Sequence, residues 1–416
     1  MTKLSLDQLR PGMRLAADLQ SDMGRFLLAK GTELDDSHMR IMRIWGVTAV
    51  DVETDAEEDQ IPEAPPAALA RAQEIMRLRL RLNDLEYPAI KELFRLCSMR
   101  LVRSINLNPN KAKAFLSNKP SGSSSGVLEK LEGKYRSTPE AILGSGDVTL
   151  ASLPAFLSEL VDIINNPRCS ALEIARVVER DTTLTARLLR IVNSPFYGFP
   201  SKVDTISRAV TVIGSRQLTT LAMGVAAIHS FQDIPEELVD MRDFWRHSLM
   251  CGFACRILAS YTNTPNSERF FVSGLLHDIG RLALYKNRPR ESAEVLATAR
   301  ALRESSERVE RKLFGFDHGA LGGHLLKTWN FPLVLENSVR YHHSPMGSPS
   351  FRETAMVHFS DVLAWALDQD GLETVVPPLN ATVWESLGLP AVSLSAVVEQ
   401  LEFLYNQTAR YFLGDE

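Results

Sequence analysis

The sequence predicts a mainly α-helical protein, in which an all-helical domain follows a small α/β module and a helical connector. Two observations lead to this fold class. From about residue 140 onward, apolar residues recur at the helical period, as in residues 156–164 and 184–192, whereas sustained alternation is scarce. In the first part of the chain, short apolar runs lie between turn-forming residues, which indicates strands.

Composition limits the possible classes of protein. The chain has 416 residues, of which 45% are apolar and 23% charged, so it can bury a large core in two or three domains. A net charge of −5 gives no sign of a nucleic-acid-binding protein. Four cysteines, an N-terminus without the apolar core of a signal peptide, and no apolar stretch long enough to span a bilayer predict a cytoplasmic protein.

Residues 1–60 are predicted to form the small α/β module. An acidic stretch and a proline-rich stretch follow its last apolar run and mark its boundary. The expected elements are strands within residues 13–19 and 25–29, a helix over residues 35–45, and a last strand over residues 47–52.

Residues 65–118 are predicted to form a helical connector with an unusual charge. Residues 71–119 contain eleven lysine and arginine residues against four acidic ones. Two interpretations stay open. The segment is a surface for an acidic partner, a membrane face or a polyanion, or its basic side chains surround an apolar stripe and face the acidic first module. Residues 119–139 are serine- and glycine-rich and are predicted to be a flexible linker to the helical domain, residues 140–416.

Histidine is concentrated in one window of the sequence. Seven of the nine histidines fall within residues 247–358, about a quarter of the chain. Histidine is the commonest metal ligand and the side chain that titrates nearest neutrality, so this window is the first place to look for chemistry. The seven are His247, His277, His318, His324, His342, His343 and His358.

Residues 150–345 contain an ordered set of motifs. In chain order they are Leu153-Pro154, Asp181-Thr182-Thr183-Leu184, Asn193-Ser194-Pro195-Phe196-Tyr197, Ile206-Ser207-Arg208-Ala209-Val210, Phe244-Trp245-Arg246-His247, His277-Asp278-Ile279-Gly280, Asp317-His318, Trp329-Asn330-Phe331-Pro332 and His342-His343-Ser344-Pro345. The set resembles the HDOD domain, a regulatory relative of the HD superfamily of metal-dependent phosphohydrolases. The resemblance implies an all-helical HD/HDOD domain. With Leu9-Arg10-Pro11-Gly12-Met13 and Gly31-Thr32-Glu33-Leu34, the first module resembles the one that precedes some HD-GYP phosphodiesterases.

The resemblance also implies a set of metal ligands. The basic set of the superfamily matches His247, His277, Asp278 and Asp361, and the additional set of two-metal HD-GYP enzymes matches His318, His342 and His343. A shell of imidazole and carboxylate suits a divalent metal of the Fe, Mn or Zn type. The alternative is a structural network, in which these buried side chains only hydrogen-bond to one another.

Two departures from the HD-GYP pattern concern catalysis. Residues 344–349 replace the Gly-Tyr-Pro loop, and Arg281 stands where those enzymes use lysine. If the domain is active, Asp278 and Arg281 are the expected catalytic residues, with Arg281 gripping a substrate phosphate. Asp243 lies one helical turn before His247 and is expected either to add a carboxylate ligand or to orient that histidine.

The remaining candidates are weaker. His358 is expected to be a packed or exposed histidine more often than a ligand, and His324 to face away from His318 because six residues place it about 240° around a helix. Cys251 and Cys255 share a helix face with His247 and are expected to be small core residues.

Three functions follow from this sequence. The first is a regulatory signal-transduction protein of bacterial type, whose HDOD domain relays a signal through contacts with signalling protein partners and retains a metal site. The second is a metal-dependent phosphohydrolase acting on a nucleotide, a cyclic dinucleotide or another phosphoester. The third is a sensor that binds a nucleotide without turnover. The resemblance favours the first.

Overall fold

The computed structural model of this chain shows two parts with separate hydrophobic cores. The first part is described at residues 2–6, 9–10, 12–20, 26–35, 38–39, 42, 47 and 49–53. The second part is described at residues 66–107, 124–144, 155–165, 170–199, 201–229, 231, 234–368 and 375–413.

The first part is built from short antiparallel strands. Its described strands are β1 (Thr2–Ser5), β2 (Arg14–Leu15), β3 (Leu19–Gln20), β4 (Phe26–Leu28) and β5 (Ala49–Glu53). One sheet has the order β1-β5-β2, and β3 pairs with β4. In β5, Val50 and Val52 are buried while Asp51 between them is exposed, which is the alternation of a half-buried strand. Most of the helix expected over residues 35–45 lies outside the described residues.

The second part is helical, which confirms the mainly α fold class. Its described α-helices are α1 (Pro66–Arg79), α2 (Pro88–Leu107), α3 (Ser124–Lys130), α4 (Pro139–Leu143), α5 (Ala155–Asn165), α6 (Ala171–Glu179), α7 (Thr182–Val192), α8 (Ile206–Ile213), α9 (Ser215–His229), α10 (Met241–Tyr261), α11 (Ser267–Leu276), α12 (Ile279–Asn287), α13 (Pro289–Leu302), α14 (Ser306–Phe314), α15 (His318–Thr328), α16 (Leu333–Arg340), α17 (Phe351–Leu367), α18 (Ala381–Leu387) and α19 (Ser393–Leu413). No helix within the described residues is long and apolar enough to cross a membrane.

Short polar side chains start many of these helices. Ser170 and Glu173 form a capping box at α6, and Asp181 and Asp317 accept backbone N–H groups at the starts of α7 and α15. Each such cap satisfies a donor that the helix itself cannot pair and contributes about 1 kcal/mol. The Asp317 cap fixes where α15 begins, and it therefore fixes the position of His318, the first residue of that helix.

The predicted connector helices pack into the core of the second part. Ala72, Ile75, Met76 and Leu80 from α1 and its end belong to the same buried cluster as the helical domain. Arg79, one of the basic residues, is only 1% exposed. Its guanidinium donates to the carbonyl oxygens of Trp365 and Asp368 at 2.6 and 2.7 Å. These carbonyls lie at the C-terminal end of α17, where the helix supplies few donors of its own, so the arginine acts as a cap from outside.

Arg79→Met is expected to lower the free energy of unfolding by about 2–4 kcal/mol, because it removes the buried guanidinium that donates to carbonyl groups at the end of α17. Urea denaturation of both proteins measures this change. Arg77→Met is the matched control, since Arg77 is an exposed residue of the same helix. Equal destabilisation by the two substitutions would contradict the capping role.

The described part of residues 119–139 differs from the flexible linker that its composition predicts. Residues Ser124–Lys130 form α3, and the N–H groups of Gly133, Tyr135 and Ser137 donate to the carbonyls of Lys312, Leu313 and Phe314 at 2.7, 2.9 and 3.1 Å. The segment therefore caps the C-terminal end of α14. Composition alone missed this because hydrogen bonds to a distant helix end leave no local pattern.

The crossing of α12 and α15 requires a glycine at position 280. A Cβ atom built there would overlap the carbonyl oxygen of His318 and lie 2.7 Å from the amide nitrogen of Gly322. Backbone therefore lies against backbone at this crossing. The contact holds Asp278, at the start of α12, close to His318, at the start of α15.

Candidate metal centre

Five separate segments bring the seven predicted ligands to one place. His247 lies within α10, and Asp361 lies within α17. His277 and Asp278 form the junction between α11 and α12, and His318 begins α15. His342 and His343 lie in the turn after α16. Every one of these residues except His247 and His343 is buried.

The first group of ligands surrounds the Nε2 atom of His277. This atom lies 3.2 Å from Nε2 of His247, 3.4 Å from Oδ1 of Asp361 and 3.5 Å from Oδ2 of Asp278. Donor atoms that each bind one ion at about 2.0–2.2 Å lie roughly 2.9–3.6 Å from one another. The spacing of the group is therefore that of a coordination shell.

The second group surrounds the Nε2 atom of His318. This atom lies 2.9 Å from Nε2 of His343 and 2.9 Å from Oδ1 of Asp278. Nε2 of His342 lies 3.9 Å from the same carboxylate oxygen. Asp278 thus turns one oxygen to each group, which is the position of a carboxylate that can serve two ions.

The hydrogen bonds on the far side of three rings show why this cluster suits a cation. Nδ1 of His277 donates to the carbonyl oxygen of Gly274, and Nδ1 of His342 to that of Val339, both at 2.7 Å. Nδ1 of His318 donates to the carboxylate of Glu310 at 2.7 Å. These partners can only accept, so in each neutral ring the lone pair of Nε2 faces the cluster.

The cluster therefore holds more lone pairs than protons. Within the described part of the chain, Nε2 of His342 is buried and has no hydrogen-bond partner. The Nε2 atoms of His247 and His277 lie 3.2 Å apart, and those of His318 and His343 lie 2.9 Å apart. The carboxylates of Asp361 and Asp278 lie beside these nitrogen pairs. Such an arrangement needs a positive charge between its members, so the residues fit a divalent metal ion. A network that only held the fold together would pair each acceptor with a donor.

The close packing of buried imidazole and carboxylate groups shifts the pKa values of several members of the cluster. Burial alone would lower the pKa of His318, but the carboxylates of Glu310 and Asp278 raise it to about 10. Burial and the neighbouring His277 and His318 lower the pKa of His342 to about 3. Burial would raise the pKa of Asp278, yet Arg281, His277 and His318 hold it well below the usual value. In the absence of a metal, a proton on His318 thus supplies the positive charge that the cluster needs.

A pocket of about 370 Å³ opens onto the cluster. His247, Asp278 and His343 face it, and Trp365 and Phe244 belong to its wall. We call this cavity the site pocket. Arg281 also lines it, with Nε 3.2 Å from Oδ2 of Asp278 and 3.4 Å from Nε2 of His318. A guanidinium in this position offers donors to an anion that enters the pocket beside the cluster.

The weaker candidates take other roles. Asp243 pairs with Arg246 at 3.0 Å on the rim of the pocket, so neither expected role toward His247 is observed. Both ring nitrogens of His358 are bonded, to the carbonyl of His342 at 2.6 Å and to the amide of Asn380 at 3.1 Å, as in a packed histidine. His324 faces elsewhere and pairs with Glu140. Cys251 and Cys255 are buried free thiols.

Two functional residues escaped the sequence interpretation. Glu310 also accepts the backbone N–H of His318, at 2.7 Å. The one sequence feature that could have pointed to Glu310 is its place, as an acidic residue, on the buried side of α14 with Val309 and Leu313. The ring of Trp365 packs against that of His247 with centroids 4.3 Å apart and an angle of 34° between the planes, and no spacing in the sequence relates the two residues.

Comparisons with known proteins show which family the helical part resembles. Residues 150–345 match the family model of the HDOD domain. This match confirms the predicted resemblance of residues 150–345 to the HDOD domain. An "Uncharacterized protein" of Treponema pallidum (strain Nichols) is 27% identical over 202 residues, 48% of this chain, and the match spans 39% of that protein's length.

Solved structures share the fold. A "Putative phosphohydrolase" from Shewanella amazonensis SB2B is 25% identical with a TM-score of 0.52, and the match covers 63% of this chain and 94% of that chain. An "HDOD domain protein with unknown function" from Geobacter sulfurreducens is 21% identical with a TM-score of 0.52, covering 68% and 99%. A "Putative signal transduction protein" from Marinobacter aquaeolei VT8 is 22% identical with a TM-score of 0.51, covering 70% and 64%.

Glu310→Gln is expected to weaken metal binding about 10- to 100-fold, because the amide is a poorer acceptor and no longer fixes the His318 tautomer. Competition against a coloured chelator measures the dissociation constant. Glu268→Gln is the control, since Glu268 is also a buried carboxylate but pairs with Arg256 away from the site pocket. Equal affinities of the Glu310→Gln variant and the unmodified protein would show that Glu310 does not orient a ligand.

Proposed function

We propose that this chain is a regulatory protein whose HDOD domain holds a divalent metal centre of the Fe, Mn or Zn type. One observation carries the metal: the Nε2 lone pairs of His277, His318 and His342 converge on the two carboxylates. The HDOD match and the absence of a Gly-Tyr-Pro loop at residues 344–349 support regulation over cyclic dinucleotide hydrolysis.

In this proposal, the state of the site pocket sets how the surrounding helices pack. A ligand or metal that binds one arrangement more tightly shifts the population toward it. The altered surface then changes contacts with signalling protein partners, in the cytoplasm. A nucleotide that binds without turnover is one ligand of suitable charge, because Arg281 lies in the pocket beside the cluster.

Elemental analysis of protein purified without a histidine tag tests the metal. We expect at least about one Fe, Mn or Zn ion per chain after growth with these metals, and a content below about 0.2 would overturn the proposal. Regulation is tested by adding the metal-loaded protein to a panel of phosphoesters and nucleotides. We expect nucleotides to raise the melting temperature without release of phosphate.

A second candidate function, a metal-dependent phosphohydrolase, is favoured by the open pocket and by Arg281. His247, His277, Asp278 and Asp361 would hold one ion, and His318, His342 and His343 with the other oxygen of Asp278 a second. Bound metal would acidify a water molecule and polarise a phosphoester. Phosphate release from the panel that is lost in Asp278→Asn would establish this function in place of the first.

Metal affinity is expected to rise with pH, because the ion must displace the proton from His318, whose pKa is about 10 without metal. The released proton predicts up to about a tenfold gain per pH unit between pH ~6 and ~8. Mn²⁺ titrations at several pH values, with buffers that do not bind metal, measure the slope. A flat profile would mean that the ligands are already deprotonated.

A further inference from the structure

The turn between α1 and α2 contacts three stretches of chain that line the site pocket. These stretches are the end of α17, residues 375–377 and α13. The contacts come from residues 79–83, which are the last residue of α1 and the start of the turn that follows it. Side chains that line a pocket move little when their backbone is held from outside, so the turn is placed to influence the site.

The first contact holds the end of α17. Arg79 donates to the carbonyl oxygens of Trp365, Ala366 and Asp368 at 2.6, 3.4 and 2.7 Å. Trp365 packs against His247, and the carboxylate of Asp368 pairs with Arg246 at 3.1 Å. The same backbone that Arg79 caps therefore carries two side chains of the pocket wall.

The second contact holds the stretch beyond α17. The amide of Val376 donates to the carbonyl of Arg79 at 2.8 Å. Asn83 donates from Nδ2 to the carbonyls of Val376 and Pro377 at 3.3 and 3.1 Å, and its Oδ1 accepts the amide of Leu379 at 2.8 Å. Asn83 thus makes three hydrogen bonds to residues 376–379 with one short side chain.

The third contact reaches α13. Arg81 donates to the carbonyl of Leu302 at 3.3 Å, and Leu296 and Ala299 of the same helix line the pocket. Arg79, Arg81 and Asn83 therefore bridge three walls that are distant in sequence. A change at the site that shifts any of these walls must change the hydrogen bonds of the turn.

We infer that the α1–α2 turn is a regulatory contact that couples the packing of α1 and α2 to the occupancy of the metal centre. The inference rests on the proposed metal centre. The turn is the route by which a change in metal occupancy reaches α1 and α2. Coupling of this kind is reciprocal. If metal binding strengthens the hydrogen bonds of the turn, then intact hydrogen bonds of the turn must raise the affinity for metal by the same factor.

The test uses the full chain and Mn²⁺ alone. Asn83→Ala is expected to change the Mn²⁺ dissociation constant by at least about fivefold, the lower end of typical coupling. Asn83→Asp keeps the acceptor for Leu379 and loses the two donated bonds, so we expect a smaller change in the same direction. Tyr87→Phe is the control, since it removes a bond from the same segment to the carbonyl of Ala381, outside the pocket wall.

Hydrogen exchange supplies the reciprocal measurement. Saturation with Mn²⁺ is expected to slow exchange at the amides of Val376 and Leu379 by at least about fivefold in the unmodified protein and not in Asn83→Ala. The inference is overturned if Mn²⁺ leaves the exchange rates of these two amides unchanged in the unmodified protein. It is also overturned if the Mn²⁺ affinity of Asn83→Ala is within about twofold of the unmodified protein. A chain that binds no Mn²⁺ at all overturns the proposed function instead, so the two failures are distinguishable.

Discussion

Asp278→Ala is expected to lower the affinity for Mn²⁺ or Fe²⁺ by more than about 100-fold, a larger loss than removal of a partner outside the ligand shell causes. The reason is the double role of this carboxylate: one oxygen faces Nε2 of His277 and the other faces Nε2 of His318. Losing Asp278 removes a ligand from both groups at once. Elemental analysis after purification, followed by titration of the apo-protein, measures the effect.

Two further proteins make this result interpretable. Asp278→Asn keeps the shape of the side chain but lacks its charge, so it separates loss of the ligand from loss of the fold. His324→Ala removes a histidine of the same window that pairs with Glu140 outside the cluster, and its metal content is expected to stay unchanged. A full complement of metal in Asp278→Asn would place the ion elsewhere.

Metal binding is also expected to stabilise the unmodified protein, because the ion relieves the excess of lone pairs among the buried histidines. An ion present at about 100 times its dissociation constant adds about 2.7 kcal/mol to the free energy of unfolding. In Asp278→Asn, the melting temperature is expected to be independent of added Mn²⁺.

Gly280→Ala is expected to destabilise the protein by more than about 3 kcal/mol, a size that single substitutions reach through steric overlap in a core. The new methyl group would occupy the space of the His318 carbonyl oxygen, and backbone cannot move aside as a flexible side chain can. Urea denaturation of the metal-free proteins measures this loss without a contribution from the ion.

Gly126→Ala is the matched control for that substitution. Gly126 lies in α3, and a Cβ atom there meets nothing within 4 Å. Alanine is favoured over glycine inside a helix by about 0.5–1 kcal/mol, so this variant is expected to be unchanged or slightly more stable. A loss below about 1 kcal/mol in Gly280→Ala would show that α12 and α15 can separate without cost.

The mainly α fold and most of its helices could be predicted because their signals are local. Periodic apolar residues and capping side chains act within one or two turns, so they are readable along the chain. The predicted ligand set also depends on local motifs, such as His277-Asp278, placed in a known order. The structure brings all seven residues together, while the identity of the ion stays a prediction.

Other features could not be read because their partners are distant in sequence. Composition predicted a flexible linker at residues 119–139, yet three amides of this segment cap α14, about 180 residues away. Charge left open whether the basic residues of α1 form a partner surface or surround an apolar stripe, and it did not indicate that Arg79 is buried against the end of α17. In both cases the last carbonyl groups of a helix accept hydrogen bonds from a segment that is distant in sequence. The sequence of that segment does not show which helix end it will contact.

The histidine window shows the same division. The sequence by itself determined which side chains are candidate metal ligands and in what order they occur, because ligand type and motif are properties of the residues. Only the tertiary structure decided how each ring is used. The Nδ1 atoms of His277, His342 and His318 are held by Gly274, Val339 and Glu310. The direction of a lone pair depends on the hydrogen bond on the opposite side of the ring, and folding alone sets that bond.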